Sequence, residues 1–140
     1  MAIKRYYASA DNTITNAFQS DLRTRGTGAN MGLSDILEVF SIYGQASSGS
    51  QELSRALIKF DLSGSANTIK TDRDNGVLPA AGGVDFYLRM FNAPHGQTLP
   101  KDAILVVEAL QKDWDEGRGL DMEEYTDLTN GNGGCNWEFA

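Results

Sequence analysis

The chain has 140 residues, with 12 Lys and Arg against 19 Asp and Glu, a net charge of −7 and one cysteine. This length suits a single domain over residues 1–140, able to bury roughly 65 to 70% of its unfolded surface without covalent help. Cys135, being alone, excludes an intrachain disulfide and a cysteine-rich metal site.

The charge is uneven: residues 1–60 carry six Lys/Arg and five Asp/Glu, whereas residues 61–140 carry six and fourteen. Scattered cations argue against nucleic acid as a partner, since a phosphate backbone needs a clustered basic surface. No stretch approaches the length of a membrane span, and no apolar run follows Lys4 and Arg5 as it would in a signal peptide. The expectation is a soluble protein with no membrane partner and no export signal of its own.

In chain order, Lys4 to Phe18 reads as a first strand, interrupted near Asp11-Asn12, whose side chains favour turns. Residues 23–35, with Gly26, Gly28, Asn30 and Gly32, read as a loop. It is not a phosphate cradle, because no Lys-Ser/Thr ending and no helix follow. Ile36 to Tyr43 is β-branched and aromatic and predicts a strand, and Ala46 to Gln51 a flexible polar tip. In Arg55 to Leu62, Ala56, Ile58, Phe60 and Leu62 alternate with Arg55, Lys59 and Asp61, so the first set is expected to be buried; only Leu57 breaks the pattern.

Residues 67–83 show no 3.6-residue period, and an irregular turn is expected there. Val84 to Phe91 predicts a strand with Val84, Phe86, Leu88 and Met90 on one side. Pro94 and Pro100 fence off a loop before a last strand over Ala103 to Trp114, which runs into Asp115-Glu116-Gly117. Short strands, Gly- and Pro-rich connections and no convincing helix predict an all-β fold, an antiparallel β-sandwich.

Two phrases carry a resemblance. A strand ending in Phe60-Asp61-Leu62, followed by one ending in Trp114-Asp115-Glu116-Gly117, resembles the DNRLRE-type β-sandwich, which is similar to carbohydrate-binding modules. The opening, Met1 to Ala8 through Asp11 to Phe18 and Thr24 to Gly32, resembles the start of virion structural proteins of tailed phages of marine cyanobacteria. Together the resemblances cover most of the chain. They imply a jelly-roll-like sandwich in which Phe60, Asp61, Trp114, Glu116 and Gly117 form a structural motif, with Trp114 packed at the strand end and Glu116 bonded to backbone or to an Arg. Lys59 departs from the family, which often has Arg there, and members usually continue for two or three more strands. An open edge is therefore expected, completed by missing C-terminal strands or by a neighbouring subunit.

Candidate chemistry concentrates between Asp113 and Asp127. Asp113, Asp115, Glu116, Asp121, Glu123, Glu124 and Asp127 crowd around one cation, Arg118. Ca²⁺ takes six to eight oxygens, so Asp113, Asp115, Glu116 and Asp121 are the ligand set such a loop offers, although the spacing is not that of an EF-hand. A solvated acidic loop, or one docking on a basic partner, satisfies the same pattern. Glu116 with Asp113 or Asp115 is a formal glycosidase pair, but a lone Trp-x-Glu-Gly specifies no cleft, and no catalytic set is assigned.

Tyr87 and Phe91 share a face with Arg89 and could offer a sugar a stacking platform; Tyr43 and Tyr125 are further candidates. The expectation is a non-enzymatic virion structural protein of a tailed phage, contacting other virion proteins and copies of itself. Lys4, Arg5, Arg23 and Arg25 would meet the acidic loop of the next copy. No cofactor is required, and a carbohydrate-binding module for host-surface glycans is the alternative.

Overall fold

A computed structural model describes residues 3–64, 68–80, 82–96, 101–120 and 133–139. Among them are three strands and one helix: β1 (Ala10–Thr15), β2 (Ser41–Tyr43), β3 (Gln51–Lys59) and α1 (Ile69–Asp74). The strands make one antiparallel sheet in the order β1-β3-β2. Register is set by Ala10 opposite Lys59, Asn12 opposite Leu57 and Ile14 opposite Arg55, and on the other side of β3 by Ile42 opposite Glu52.

Asp11 and Asn12 do not interrupt the first strand; they lie inside β1. Tertiary bonds override their turn preference. Asn12 is fully buried, its Oδ1 accepting the Met31 N–H at 2.8 Å and its Nδ2 donating to the Cys135 Sγ at 3.1 Å. With those bonds made, no orphan amide pulls the backbone out of the strand.

The core cluster is Ile14, Trp114 and Cys135, with Ala10, Leu57 and Trp137 packed against it. This apolar cluster lies on the other face of β3 from the one expected, although Ala56 and Ile58 are themselves partly buried and Thr13, opposite Ala56, fully so. Directly opposed residues of an antiparallel pair share a face, so Arg55, Leu57 and Lys59 lie with Ala10, Asn12 and Ile14 on the core side. Leu57, the residue that broke the alternation, marks the inner face. Arg55 and Lys59 reach its rim: the Arg55 guanidinium stacks 4.4 Å from the Trp137 ring centre, and the Lys59 Nζ donates to Asp113 at 2.6 Å. Their aliphatic stems cover apolar surface while the charges stay wet.

Three further expectations are corrected. Of Ile36 to Tyr43 only Ser41–Tyr43 pairs as a strand, although Ser54, through its backbone N–H, still donates to the Phe40 carbonyl at 3.1 Å. Residues 67–83 contain α1, too short for helical periodicity to show. It is capped by Thr68, whose side chain accepts the Thr71 N–H at 3.2 Å, and it carries a Lys70–Asp74 ion pair one turn apart. Val84–Phe91 and Ala103–Trp114 form no ladder among the described residues, and most of their apolar side chains are exposed.

Buried polar side chains rival the apolar core in number: Asn12, Thr13, Thr15, Asn30, Ser50, Glu52, Thr68 and Asp72. No buried side-chain oxygen or nitrogen lacks a partner among the described residues. Hydrogen bonds thus specify this fold alongside hydrophobic burial.

Candidate functional site

The outer edge of β1, away from β3, is where the chain converges. A single bridge pairs Ile14 with Asn30 there. The Asn30 side chain, itself fully buried, then collects two distant loops: its Oδ1 accepts the Gly119 N–H at 2.8 Å and its Nδ2 donates to the Gly133 carbonyl at 3.2 Å. Leu33 N donates to the Gly119 carbonyl and Cys135 N to the Asp115 carbonyl, so residues 30–33, 115–119 and 133–135 are laced together through backbone.

Only glycine fits the crossing. A Cβ on Gly117 would stand 1.9 Å from the Asn30 Oδ1, and one on Gly119 would stand 1.9 Å from the Asn30 carbonyl oxygen. A Cβ on Gly32 would meet the Gly117 oxygen at 2.0 Å, and one on Gly134 the Gly117 Cα at 2.2 Å. Four glycines and one asparagine form a node in which main chains touch directly.

The Trp114-Asp115-Glu116-Gly117 phrase feeds this node. Trp114 is buried in the core cluster, Gly117 sits against Asn30, and the Glu116 Oε1 accepts the Asp11 N–H at 2.8 Å. Asp113, at the approach, accepts from Lys59 and from the Trp114 N–H at 3.0 Å. Hydrogen bonding from Lys59 holds the Asp113 carboxyl below the usual carboxylate range and Asp113 raises Lys59 in return. Burial, and then the neighbouring Glu116 charge, push Asp11 up. Of the formal glycosidase pairings, Glu116 with Asp113 or Asp115, Glu116 and Asp113 are thus each engaged by separate donors.

Of the calcium set, Asp121 lies outside the described residues, as do Glu123, Glu124, Tyr125 and Asp127. Among the described residues no group of three or more His, Cys, Asp or Glu side chains is placed to hold a metal ion. Phe60 and Asp61 fall just past β3, Phe60 half-buried and Asp61 exposed.

The four candidate docking cations divide. Lys4 forms an ion pair with Asp72 at 3.1 Å, a carboxylate that also accepts the Tyr6 hydroxyl at 2.7 Å, tying the N-terminal segment to α1. Arg25 donates to the Asn16 carbonyl at 2.6 Å and to the Gln51 carbonyl at 3.0 Å while stacking on Phe18. Arg5 and Arg23 are exposed, and no ion pair among the described residues uses their side chains.

Tyr87 and Phe91 are 86% and 79% exposed, and the Arg89 guanidinium lies 4.7 Å from the Phe91 ring centre. Tyr43, at 72%, is also open.

Sequence reasoning missed Asn12 and Asn30, which it read as turn formers. The signal lay in spacing: Asn30-x-Gly32, Gly117-x-Gly119 and Gly133-Gly134 are the partners such a crossing needs. It also missed Glu52, fully buried at the far end of the sheet, where its Oε2 accepts the Phe18 N–H at 2.9 Å. No helix among the described residues is long and apolar enough to cross a membrane. Comparisons of the chain with protein-family models, with curated proteins and with solved structures found no match.

Proposed function

We propose that this chain is a non-enzymatic structural protein of a tailed-phage particle, a β-rich interaction module that joins or decorates proteins of the capsid, neck or tail. The observation that carries the reading is the state of residues 84–91 and 103–110. Both have strand composition, neither is laddered among the described residues, and Phe86, Tyr87, Phe91, Ile104, Val106 and Val107 are all more than 60% exposed. Apolar surface on that scale belongs to an interface. The resemblance of the opening residues to virion proteins supplies the particle.

The three-stranded sheet is, in this reading, part of an antiparallel jelly-roll-like sandwich that becomes complete on assembly. Its β2 edge suits that role. Gly44 N donates to the Ser50 carbonyl and Ser54 N to the Phe40 carbonyl, so the intervening odd residues, Ser41 and Tyr43, turn their backbone groups away from β3. An edge of this kind accepts a neighbour's strand through main-chain bonds.

Immunogold labelling of purified particles tests the assignment: label confined to one structure, capsid, neck or tail, is the expected result, and its absence from particles sinks it. A second reading, a carbohydrate-binding module, is favoured by the open Tyr87, Arg89 and Phe91 platform. A glycan-array signal abolished by Tyr87→Ala would select it instead.

A further inference from the structure

We propose that residues 84–91 of two copies pair antiparallel about a two-fold axis at Tyr87, making an isologous homodimer. The inference rests on reading the chain as an assembly module and names the occupant of one of its exposed segments as a second copy of the same chain.

First, the segment keeps strand-like alternation without a ladder among the described residues. Phe86, Leu88 and Met90 are 63%, 44% and 50% exposed, whereas Tyr87 and Phe91 are 86% and 79%. Val84 is half-buried and Asp85 and Arg89 are exposed. Odd-numbered aromatic side chains are thus more exposed than the even-numbered apolar ones, a period of two that a ladder would lock.

The second argument is charge. In an antiparallel pair centred on Tyr87, Asp85 of one copy lies opposite Arg89 of the partner subunit, and by symmetry the pair occurs twice. Phe86 meets Leu88 of the partner subunit, and Val84 meets Met90 of the partner subunit. Other registers lose this. A shift of one residue puts the apolar row against the charged row, and a shift of two sets Asp85 against an aromatic ring. Parallel in-register pairing would oppose like charges. The guanidinium of Arg89, already over Phe91, can keep that contact while it meets Asp85 of the partner subunit.

The third argument is size. Three aromatic rings at these exposures, with Leu88 and Met90, offer on the order of 700 Å² of coverable surface per copy. A standard interface buries about 800 Å² per partner. Edge-to-edge pairing covers the flanks of these side chains, so the segment supplies part of that area.

Cysteine cross-linking on the full chain is a clean test, because the native thiol, Cys135, is 1% exposed. Directly opposed residues of an antiparallel pair stand about 4.5 to 5.5 Å apart at Cα, within disulfide range. Tyr87→Cys should cross-link to a homodimer under mild oxidation, and Asp85→Cys should not. In a parallel experiment Asp85→Arg and Arg89→Asp each weaken self-association about tenfold, and mixing the two variants restores it as a heterodimer. Equal cross-linking at both positions, or single variants that associate like the parent, overturns the proposal. A chain that is monomeric in solution yet present in particles overturns the dimer and leaves the assembly reading standing; a Tyr87-centred dimer missing from particles does the reverse.

Discussion

The Oδ1 of Asn30 accepts the N–H of Gly119 at 2.8 Å across 89 residues of sequence. Through this bond and its Nδ2 contact to Gly133, one amide fixes three chain segments. Asn30→Ala leaves the buried Gly119 N–H without its partner, at about 1–3 kcal/mol, and loses the bond to the Gly133 carbonyl, on an exposed residue, at about 1 kcal/mol. Urea unfolding should show a loss of about 2–4 kcal/mol.

Gly117→Ala is expected to be at least as damaging, since its Cβ would overlap the Asn30 Oδ1 at 1.9 Å. The matched control is Gly49→Ala, where nothing lies within 4 Å. That variant should stay within about 0.5 kcal/mol of the parent in the same unfolding assay.

Tyr6 and Asp72 titrate in opposite directions. Burial, with help from the hydrogen bond to Asp72, pushes the Tyr6 hydroxyl up to about 12. The Tyr6 and Lys4 contacts hold Asp72 below the usual carboxylate range. A depressed carboxyl contributes stability that is complete above its unfolded value and lost as pH falls through its folded one. A raised tyrosine contributes stability that is lost as pH rises from about 10 to 12. The unfolding midpoint should therefore drop at both extremes, and Asp72→Asn should flatten both limbs. Phenolate absorbance of the variant should show Tyr6 titrating closer to its ordinary value.

Cys135 is buried, and burial pushes its thiol up. Little thiolate forms near neutral pH, and a reagent must wait for local opening. A chromogenic disulfide should label native protein slowly and urea-unfolded protein at once; prompt native labelling would contradict the buried placement.

Leu22 has φ 53° and is 40% exposed at the tip of a turn closed by Asp21, whose carboxylate accepts the Arg23 and Thr24 N–H groups at 2.8 Å. A left-handed leucine stores about 1 kcal/mol. Leu22→Gly should raise stability by no more than a few tenths of a kcal/mol, after about 0.4–1 kcal/mol for the entropy that glycine adds to the unfolded chain.

What the sequence made legible was local. β-character was legible from Arg55 to Lys59, but β3 begins at Gln51, read as part of a polar tip, and stops before Phe60 to Leu62; a strand was expected around residues 10–15, with a break at Asp11-Asn12 that is not there. The faces of β3 were misassigned because Arg55 and Lys59 have long apolar stems that line a core rim, which a polar-or-apolar alphabet cannot express. Residues 84–91 and 103–114 have the composition of strands, yet they form no ladder among the described residues, and partners are not written in local pattern. Asn12 and Asn30 were read by their turn preference, although Asn12 is held by Cys135, 123 residues away, and Asn30 by Gly119 and Gly133, 89 and 103 residues away. The six residues of α1 span too few turns for a hydrophobic stripe, and only the cap at Thr68 could have announced them.

β1 leans on the far end of the chain. Its Asp11 N–H is held by a residue 105 positions later, and its Asn12 amide by one 123 positions later. On a ribosome adding about 5–20 residues per second, roughly 6 to 25 s separate the synthesis of Asn12 from that of Cys135. For most of that interval the Asp11 N–H and the Asn12 Nδ2 lack the partners they have in the fold, although Met31 and Asn30 are already at hand for the rest of the outer edge of β1. Newly made chains crowded on one message are then each other's nearest source of backbone partners, so their first encounter decides between the finished fold and an aggregate.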